Sequence, residues 1–457
     1  MAASPARRIA FEILRRVASE EAYASDLLHA KLAGRVGRAD AALATELTLG
    51  VLRWQRLLDF LLQRHLDKPA ARLDLEVLLA LRMGLYQMRF LERIPAHAAV
   101  SESVELAKSA RKRSAAPLVN AVLRRLAPEA KLAGANLEAL LPAGASAVER
   151  TAILYSHPNW LVERWLARFG DYRTVALLEA NNRPPRLCCA VLDPRETPAV
   201  NESLRREGFE VAPGRWLRAA LALSGGNPAA AEAFRLGKIS LQDEASQMVA
   251  HLVDARAGDV VLDVCAAPGG KTGILARAVA PGGRVIAADV HEHRLRAARE
   301  QLVRTGAQGV WWLALDAVQP LPFAETFQRI LVDAPCSGTG TLARNPEIKW
   351  RLQPDELTRA HCRQTAMLSQ ALAKLATGGR LVYATCSLEP EENEQTVREA
   401  ISQYAGVRIV PDQAALDPWL RPGASAAPLF DPDGFFRTFP PESGTDGFFA
   451  AVLERSA

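Results

Sequence analysis

The sequence predicts an α/β protein. A parallel sheet with helices on both faces fills the C-terminal half, behind an all-α module and a small α/β segment. Three observations carry this reading. Apolar residues recur at i, i+3 and i+4 from Pro5 to about Leu126; from Asn181 the texture turns to short β-like runs broken by turns; and after Ile239 apolar runs alternate with amphipathic stretches. With 457 residues, 49% apolar and 23% charged, the chain has the composition of a folded globular protein. Its length suits about three domains.

In the N-terminal module the helical spacing is clearest at Ile9, Ile13 and Leu14, and at Leu57, Leu58, Leu61 and Leu62. Gly34, Gly37, Gly50 and Pro95 punctuate it into helices of about ten to eighteen residues, the scale of a small bundle. The Ala-, Gly- and Pro-rich stretch 128–150 places a boundary near residue 145, and 146–180 reads as a helical linker containing HPNWLVERWLARFG. RLCCAVL and GFEVAP, with a helical stretch at 198–207 between them, make 181–238 a small α/β segment. Over 239–457 the runs VVLDVCAAPGGK, RVIAADV, VWWLALDA, RILVDAPCSG and LVYATCSLEP alternate with helices, which specifies the parallel sheet.

No window approaches the roughly 18 uninterrupted apolar residues of a membrane span, and the N-terminus sets arginines among its apolar positions; a cytoplasmic, unprocessed protein without membrane contact is expected. The six cysteines are sparse and no pair has C-x-x-C spacing, which argues against disulfides and structural zinc. The eight histidines, His291 and His293 among them, show no spacing that compels a metal, and none is expected. Net charge is +5 but uneven: residues 1–145 hold 22 Lys and Arg against 15 Asp and Glu, a local +7 that leaves −2 for the rest. Its densest part, Lys108, Arg111, Lys112 and Arg113 followed by Arg124 and Arg125, suits a phosphate backbone, although a solvated helix face accounts for it equally well on charge alone.

In open α/β sheets ligands bind beyond the carboxyl ends of the strands, so the residues there carry the most information. The first run ends in DVCAAPGGKT, from Asp263 to Thr272. Its glycines allow close backbone approach, and the following helix offers free N–H groups to an anionic or polar ligand. A phosphate-binding P-loop is the rival, but that motif needs Gly where Cys265 stands. The second run ends at Asp289, 26 positions after Asp263, near the spacing at which an acid bonds ribose hydroxyls. This fits an adenosine-bearing cofactor; Asp289 also suits a helix N-cap, and both roles can hold at once. The third run ends with Asp316, where an acid could reach an adenine amino group or form a turn.

Cys336 in DAPCSGTG and Cys386 in YATCSLEP each follow an apolar strand among small or polar residues. A partly exposed thiol there, near helix N-termini, can have a lowered pKa and act as a nucleophile. Asp333 adds an acid to the same cleft. Cys188, Cys189 and Cys362 read as small buried hydrophobes, without assigned chemistry. An adenosyl cofactor, two thiols and an acid match methylation at C5 of cytosine. C5 is a poor nucleophile until a thiolate adds at C6; C5 then takes the methyl group, and loss of its proton expels the thiol. An acid bonded to N3 or the exocyclic amine would stabilise the adduct and help to select cytosine. This chemistry does not order the two cysteines.

With these motifs in place, the chain resembles the S-adenosylmethionine-dependent RNA cytosine-5 methyltransferases, in particular the bacterial Sun/Fmu (RsmB-like) type that modifies 16S rRNA. LDVCAAPGGKT resembles its cofactor loop, DAPCSGTG and YATCSLEPEENE its two cysteine motifs, RNPEIKW and the long helix after it the segment between them, and GTDGFFAAVLE its closing strand, over about residues 239–454. The resemblance implies a Rossmann-like class I S-adenosylmethionine-dependent methyltransferase domain over 239–457, a NusB-like RNA-binding domain over 1–145 and a small RNA-binding subdomain over 181–238. The NusB-like match rests on the helix pattern with LTLGVLRW, LLALRMGLYQMRFLERIPAHAAVSESVELAK and LVNAVLRRL, where the family's usual Phe is Leu118.

The same resemblance implies that Cys386 attacks C6 and that Cys336 assists breakdown of the adduct, whereas DNA cytosine-5 methyltransferases use a P-C cysteine as nucleophile. It lines the cofactor and base pocket with Cys265, Ala266, Ala267, Pro268, Gly269, Gly270, Lys271, Asp289, Asp316 and Asp333, with Lys271 also approaching the base. The implied cofactor is S-adenosyl-L-methionine, and the implied partner is 16S rRNA, free or in an early assembly state, met by a monomer. The same chemistry on tRNA is one alternative, and a noncatalytic RNA-binding factor with a dead methyltransferase domain is another.

Overall fold

The computed structural model describes residues 3–20, 22–32 and 36–456, so Gly34 lies outside the described residues. The chain forms two compact units, one of Met1–Pro184 with Leu342–Arg351, the other of Pro185–Thr341 with Leu352–Ala457.

The first unit is built from α1 (Pro5–Ser19), α2 (Ala24–Leu32), α3 (Arg38–Arg53), α4 (Gln55–Gln63), α5 (Leu75–Phe90), α6 (Ala96–Ser109), α7 (Ala116–Leu126), the short α8 (Gly134–Glu138), α9 (Ala147–Leu154) and α10 (Asn159–Asn182). The apolar rows turn inward as their spacing requires: Ile13, Leu14, Leu57, Leu58, Leu61 and Leu62 share one core. At its centre is α5, buried at every residue from Val77 to Met88, with Arg82 paired to Asp59 at 2.6 Å. Gly37 and Pro95 stand at the N-caps of α3 and α6, but Gly50 lies inside α3 instead of ending a helix. Packing is the reason. A Cβ at Gly50 would stand 2.0 Å from Cζ of Tyr86, whose hydroxyl donates to Glu46 at 2.5 Å. The stretch 146–180 forms α9 and α10 within the same unit, with a bend at Gly170, φ 73°. Of the basic cluster, Lys108 pairs with Glu105 and Lys112 with Asp74, both at 2.8 Å.

The RNPEIKW segment also belongs to this unit, although it lies within the stretch 239–457. Trp350 Nε1 donates to Leu52 O at 2.6 Å, Arg351 to Val17 O at 2.7 Å, and Arg53 to Ala343 O at 2.8 Å. Lys349 is 1% exposed and donates to Arg53 O at 2.8 Å and Asn182 Oδ1 at 3.2 Å. Burial, then the charge of Arg53, pushes its pKa well below the ordinary lysine value. Carbonyls at the C-terminal end of a helix lack helical partners and favour a cation, which is why this lysine is tolerated inside. Truncation in Lys349→Ala leaves two acceptors unsatisfied and opens a cavity, offset in part by removal of a buried charge. The expected loss is about 2–4 kcal/mol, read as a lower urea midpoint for the amides of α3 in hydrogen exchange.

The second unit begins with a small antiparallel sheet of β1 (Leu187–Val191), β2 (Glu210–Pro213), β3 (Ala220–Ser224) and β4 (Ile239–Leu241), in the order β2-β3-β1-β4. Packed in its core, α11 (Thr197–Arg206) sets Val200 and Leu204 beside Cys189, Val191, Leu221 and Leu223. Ile239–Leu241, at which the sequence reading starts the large sheet's domain, pairs with β1, Ser240 opposite Ala190. Cys189 is buried, whereas its neighbour Cys188 is half-exposed, because successive strand residues face opposite sides. Cys362, expected inside, is exposed on the long helix Pro354–Ala373.

After the four-residue α12 (Glu232–Arg235), the large sheet comprises β5 (Val260–Asp263), β6 (Arg284–Asp289), β7 (Val310–Ala314), β8 (Phe327–Asp333), β9 (Leu375–Thr385), β10 (Val407–Ile409), β11 (Phe436–Thr438) and β12 (Phe448–Arg455). Its order is β10-β12-β9-β8-β5-β6-β7, with β11 paired to β12. Strands β5 to β9 are parallel as expected; β12 returns antiparallel beside β9 and carries β10 and β11. Both faces are covered, so strands are apolar at successive positions: Phe448, Ala450 and Val452 of β12 enter one core, and Phe449, Ala451 and Leu453 the other. Along one face pack α13 (Glu244–Leu252) and α14 (Gly270–Val279), and along the other the helix Pro354–Ala373. The chain adds β6 and β7 on one side of β5 and then returns to its other side with β8. This reversal opens a crevice beyond the strand ends.

Candidate active site

Asp263 closes β5 and is fully buried; its Oδ2 accepts from Thr272 Oγ1 at 2.8 Å, while Oδ1 has no partner. The next residues turn the chain into α14, with Ala266 N donating to Ala288 O and Gly269 N to Ala266 O, both at 2.7 Å. Only glycine suits the last position of this turn: Gly269 has φ 98°, and a Cβ there would lie 2.9 Å from Leu302 Cδ1. Because α14 starts at Gly270, the free N–H groups of its first turn sit at this strand end. Burial, with the negative charges of Asp263, Asp333 and Asp289, pushes the Cys265 thiol well above its ordinary value, so Cys265 stays protonated.

Asp289 is buried at the end of β6, where Oδ1 accepts from His291 N at 2.9 Å and Oδ2 faces Arg294 Nη1 at 3.7 Å. The N-cap of the next helix, α15 (Glu292–Arg304), is His291, so Asp289 closes the turn before the cap. Asp316 is exposed past β7 and accepts from Val318 N at 3.0 Å, a turn former. An adenosyl cofactor with an amino-acid tail carries hydroxyls, an amine and a cationic sulfur. The orphaned Asp263 oxygen, the free N–H groups of α14 and the carboxylates after β6 and β7 supply the acceptors and donors such a group needs, and the residues present fit it.

Burial pushes Asp263 up to about 7, against the opposing hydrogen bond from Thr272. The folded carboxyl therefore keeps a proton that the unfolded chain has already lost. Its contribution to stability is full below about pH 4, falls as pH rises from about 4 to 7, and is lost above that. Asp263→Asn keeps an acceptor for Thr272 and removes this slope. Relative to the wild type, the expected gain is about 2–4 kcal/mol at pH 8 and close to nothing at pH 4, checked by urea midpoints at both pH values.

Across the crevice, β8 and β9 lie side by side with Asp333 opposite Ala384. The turns that follow bring Cys336 Sγ and Cys386 Sγ within 3.3 Å, both thiols half-exposed. Lys271, from the first turn of α14, donates to Asp333 Oδ2 at 2.7 Å, with its ammonium 5.1 Å from the centre of the Phe448 ring. Gly340 N donates to Cys386 O at 2.9 Å, tying the two turns together. The lowered pKa expected for Cys336 is reversed: its hydrogen bond with Cys386, burial, and the charges of Cys386 and Glu392 hold its pKa well above the ordinary thiol value.

The structure thus pairs Lys271 with Asp333 and Cys336 with Cys386 at the ends of the neighbouring strands β8 and β9, with the Cys265 turn at the end of β5 and Asp289 and Asp316 farther along the same sheet edge. Sequence reasoning missed Glu392, Ser337, Ser387 and Gln364, which pack behind the thiols. A signal existed, since both cysteines are followed by serine. Among the described residues no group of three or more His, Cys, Asp and Glu could hold a metal, and no helix is long and apolar enough to cross a membrane.

A crevice at the switch point, a glycine turn into a helix and acids on successive strand ends define a Rossmann-like α/β domain built for a nucleoside-bearing cofactor. Residues 250–454 match the 16S rRNA methyltransferase RsmB/F model, residues 4–128 the NusB family, and residues 157–230 the ferredoxin-like domain of RsmF/B-like methyltransferases. The chain is 32% identical to the probable ribosomal RNA small subunit methyltransferase B of Bacillus subtilis (strain 168), with 98% of each chain covered. It is 35% identical to the ribosomal RNA small subunit methyltransferase B of Pseudomonas putida, covering 99% of this chain and 98% of that one. It matches the crystal structure of PH0851 with a TM-score of 0.80 and 27% identity over 99% of both chains. The chain belongs to the RsmB/F family of 16S rRNA methyltransferases, with a NusB-like domain in front of a Rossmann-like methyltransferase domain.

Proposed function

We propose that this chain transfers a methyl group from S-adenosylmethionine to C5 of a cytidine in 16S rRNA through a covalent adduct at Cys386. The observation that carries the reading is the pair of thiols 3.3 Å apart beside the Lys271–Asp333 ion pair. The cofactor, when bound, supplies an electrophilic methyl group on a cationic sulfur. The turn Cys265, Ala266, Ala267, Pro268, Gly269, Gly270 and Lys271, with Asp289 and Asp316, would hold it.

Cys386 adds to C6 of the cytosine, and the electron density this places on C5 lets C5 take the methyl group. Asp333, steadied by Lys271, bonds N3 or the exocyclic amine and stabilises the adduct. Loss of the C5 proton then returns the C6–S electron pair to Cys386, with Cys336 assisting beside the same sulfur. The helical unit and the small sheet grip the RNA by phosphate contacts while the target base is splayed into the crevice. The protein acts as a cytoplasmic monomer on free 16S rRNA or an early assembly state.

The test is transfer of labelled methyl from S-adenosylmethionine to unmodified small-subunit rRNA, with tRNA in parallel and the product digested to nucleosides. Labelled 5-methylcytidine in the rRNA is expected. Label in tRNA alone would move the substrate, and label in neither RNA despite cofactor binding would favour an RNA-binding factor.

A further inference from the structure

Each thiol is followed in sequence by a serine, and both serines meet one carboxylate. Glu392, fully buried, accepts at Oε1 from Ser337 N at 2.7 Å and from Gln364 Nε2 at 3.1 Å, and at Oε2 from the hydroxyls of Ser337 and Ser387. The two hydroxyls are 3.1 Å apart. Gln364 also donates to Pro335 O at 2.9 Å, so the peptides on the two sides of Cys336 are tied to Gln364 and Glu392, which are bonded to each other. The Glu392 carbonyl accepts from Tyr383 Oη at 2.6 Å, which fixes its backbone to β9. Burial raises the carboxyl's pKa, and the bonds from Ser337, Ser387 and Gln364 pull it back.

We propose that Glu392 is a positioning residue that sets the separation of the two thiols by holding the residue after each at one buried point. The proposal rests on the methyltransferase reading above and deepens it. Glu392 acts through the serines, not on the reacting atoms. Cys386 extends directly from the end of β9, so its place for attack depends mainly on the sheet. Cys336 sits three residues past the end of β8, in a turn whose neighbouring bonds converge on Glu392 and Gln364. Loosening the clamp therefore leaves attack possible and moves Cys336 away from the sulfur it must assist. Displacing a reacting group by about 1 Å is enough to slow a step about a hundredfold.

Glu392→Gln keeps the volume but replaces one acceptor with a two-proton donor. With the amide nitrogen toward Ser337 N, donors face donors; with it toward the serines, both hydroxyls must stop donating and turn to accept, so neither orientation keeps both oxygens as acceptors. In the full-length chain the expected result is turnover on 16S rRNA lower by about a hundredfold, unchanged affinity for S-adenosylmethionine, and accumulation of a covalent RNA adduct on denaturing gels. A second readout is independent of methyl transfer. Glutathione disulfide oxidises the two thiols to a Cys336–Cys386 disulfide and is itself reduced to two glutathione thiols, at a rate that reports their proximity. That closure is expected to slow by about tenfold.

Wild-type rates of both turnover and closure in the variant would overturn the proposal, as would parallel loss of cofactor affinity and turnover without adduct. Should the wild type methylate neither RNA, the reaction proposed above fails, and the closure rate alone decides on the clamp. Where Glu392→Gln does not fold, Ser387→Ala takes its place: it removes one donor from Glu392, and the same two readouts decide on the clamp.

Discussion

Cys386→Ala is expected to lower methyl transfer to cytidine by about four orders of magnitude or more, to background, while binding S-adenosylmethionine as the wild type does. On the proposed reaction the loss is large because, without a bond at C6, C5 stays too electron-poor to take the methyl group. It is not a folding effect. The side chain is small and half-exposed, and its backbone keeps the bond from Gly340 N, so the substitution costs about 1 kcal/mol at most. The competing assignment makes Cys336 the attacking thiol, as the P-C cysteine is in DNA enzymes. Labelled transfer at the wild-type rate in Cys386→Ala would reverse the roles of the two cysteines.

The strand ends were readable in the sequence because a doubly covered parallel sheet writes each strand as an apolar run and leaves its chemistry at the stop. Asp263, Asp289, Asp333 and Cys386 stand at or next to the ends of β5, β6, β8 and β9, where the runs stop. What local pattern could not carry depends on distant partners. Lys349 in RNPEIKW looks like a surface charge until Arg53 O and Asn182 Oδ1 close on it from 296 and 167 positions away. Gly50 looks like a helix stop until the Tyr86 ring fills the space of its Cβ. Glu392 is one acid in PEENE, and its inward turn is explained by Ser337, 55 positions earlier. The unbroken apolar run of β12 marks a strand buried on both faces but does not show that it runs antiparallel to β9. The pKa of Cys336 likewise depends on a sulfur 50 positions away.

Cys336→Ala is expected to permit attack and stall release, so that a covalent complex with 16S rRNA accumulates while turnover falls by about three orders of magnitude. Attack needs the Cys386 sulfur, the acid at Asp333 and the ion pair with Lys271, all of which remain. Breakdown needs assistance next to the C6–S bond, and the Cys336 sulfur at 3.3 Å is the group in place to give it. A slow-migrating band on a denaturing gel, absent in the Cys336→Ala and Cys386→Ala double variant, is the expected observation. Full turnover without a band would remove Cys336 from the reaction. The label separates two stages at which the complex could stall. Cofactor-derived methyl in the trapped RNA places the block after transfer, as expected if Cys336 assists the elimination that expels the Cys386 sulfur, because that step comes only once C5 carries the new bond. An unlabelled band would place the block before transfer and make Cys336 a partner in activating C5.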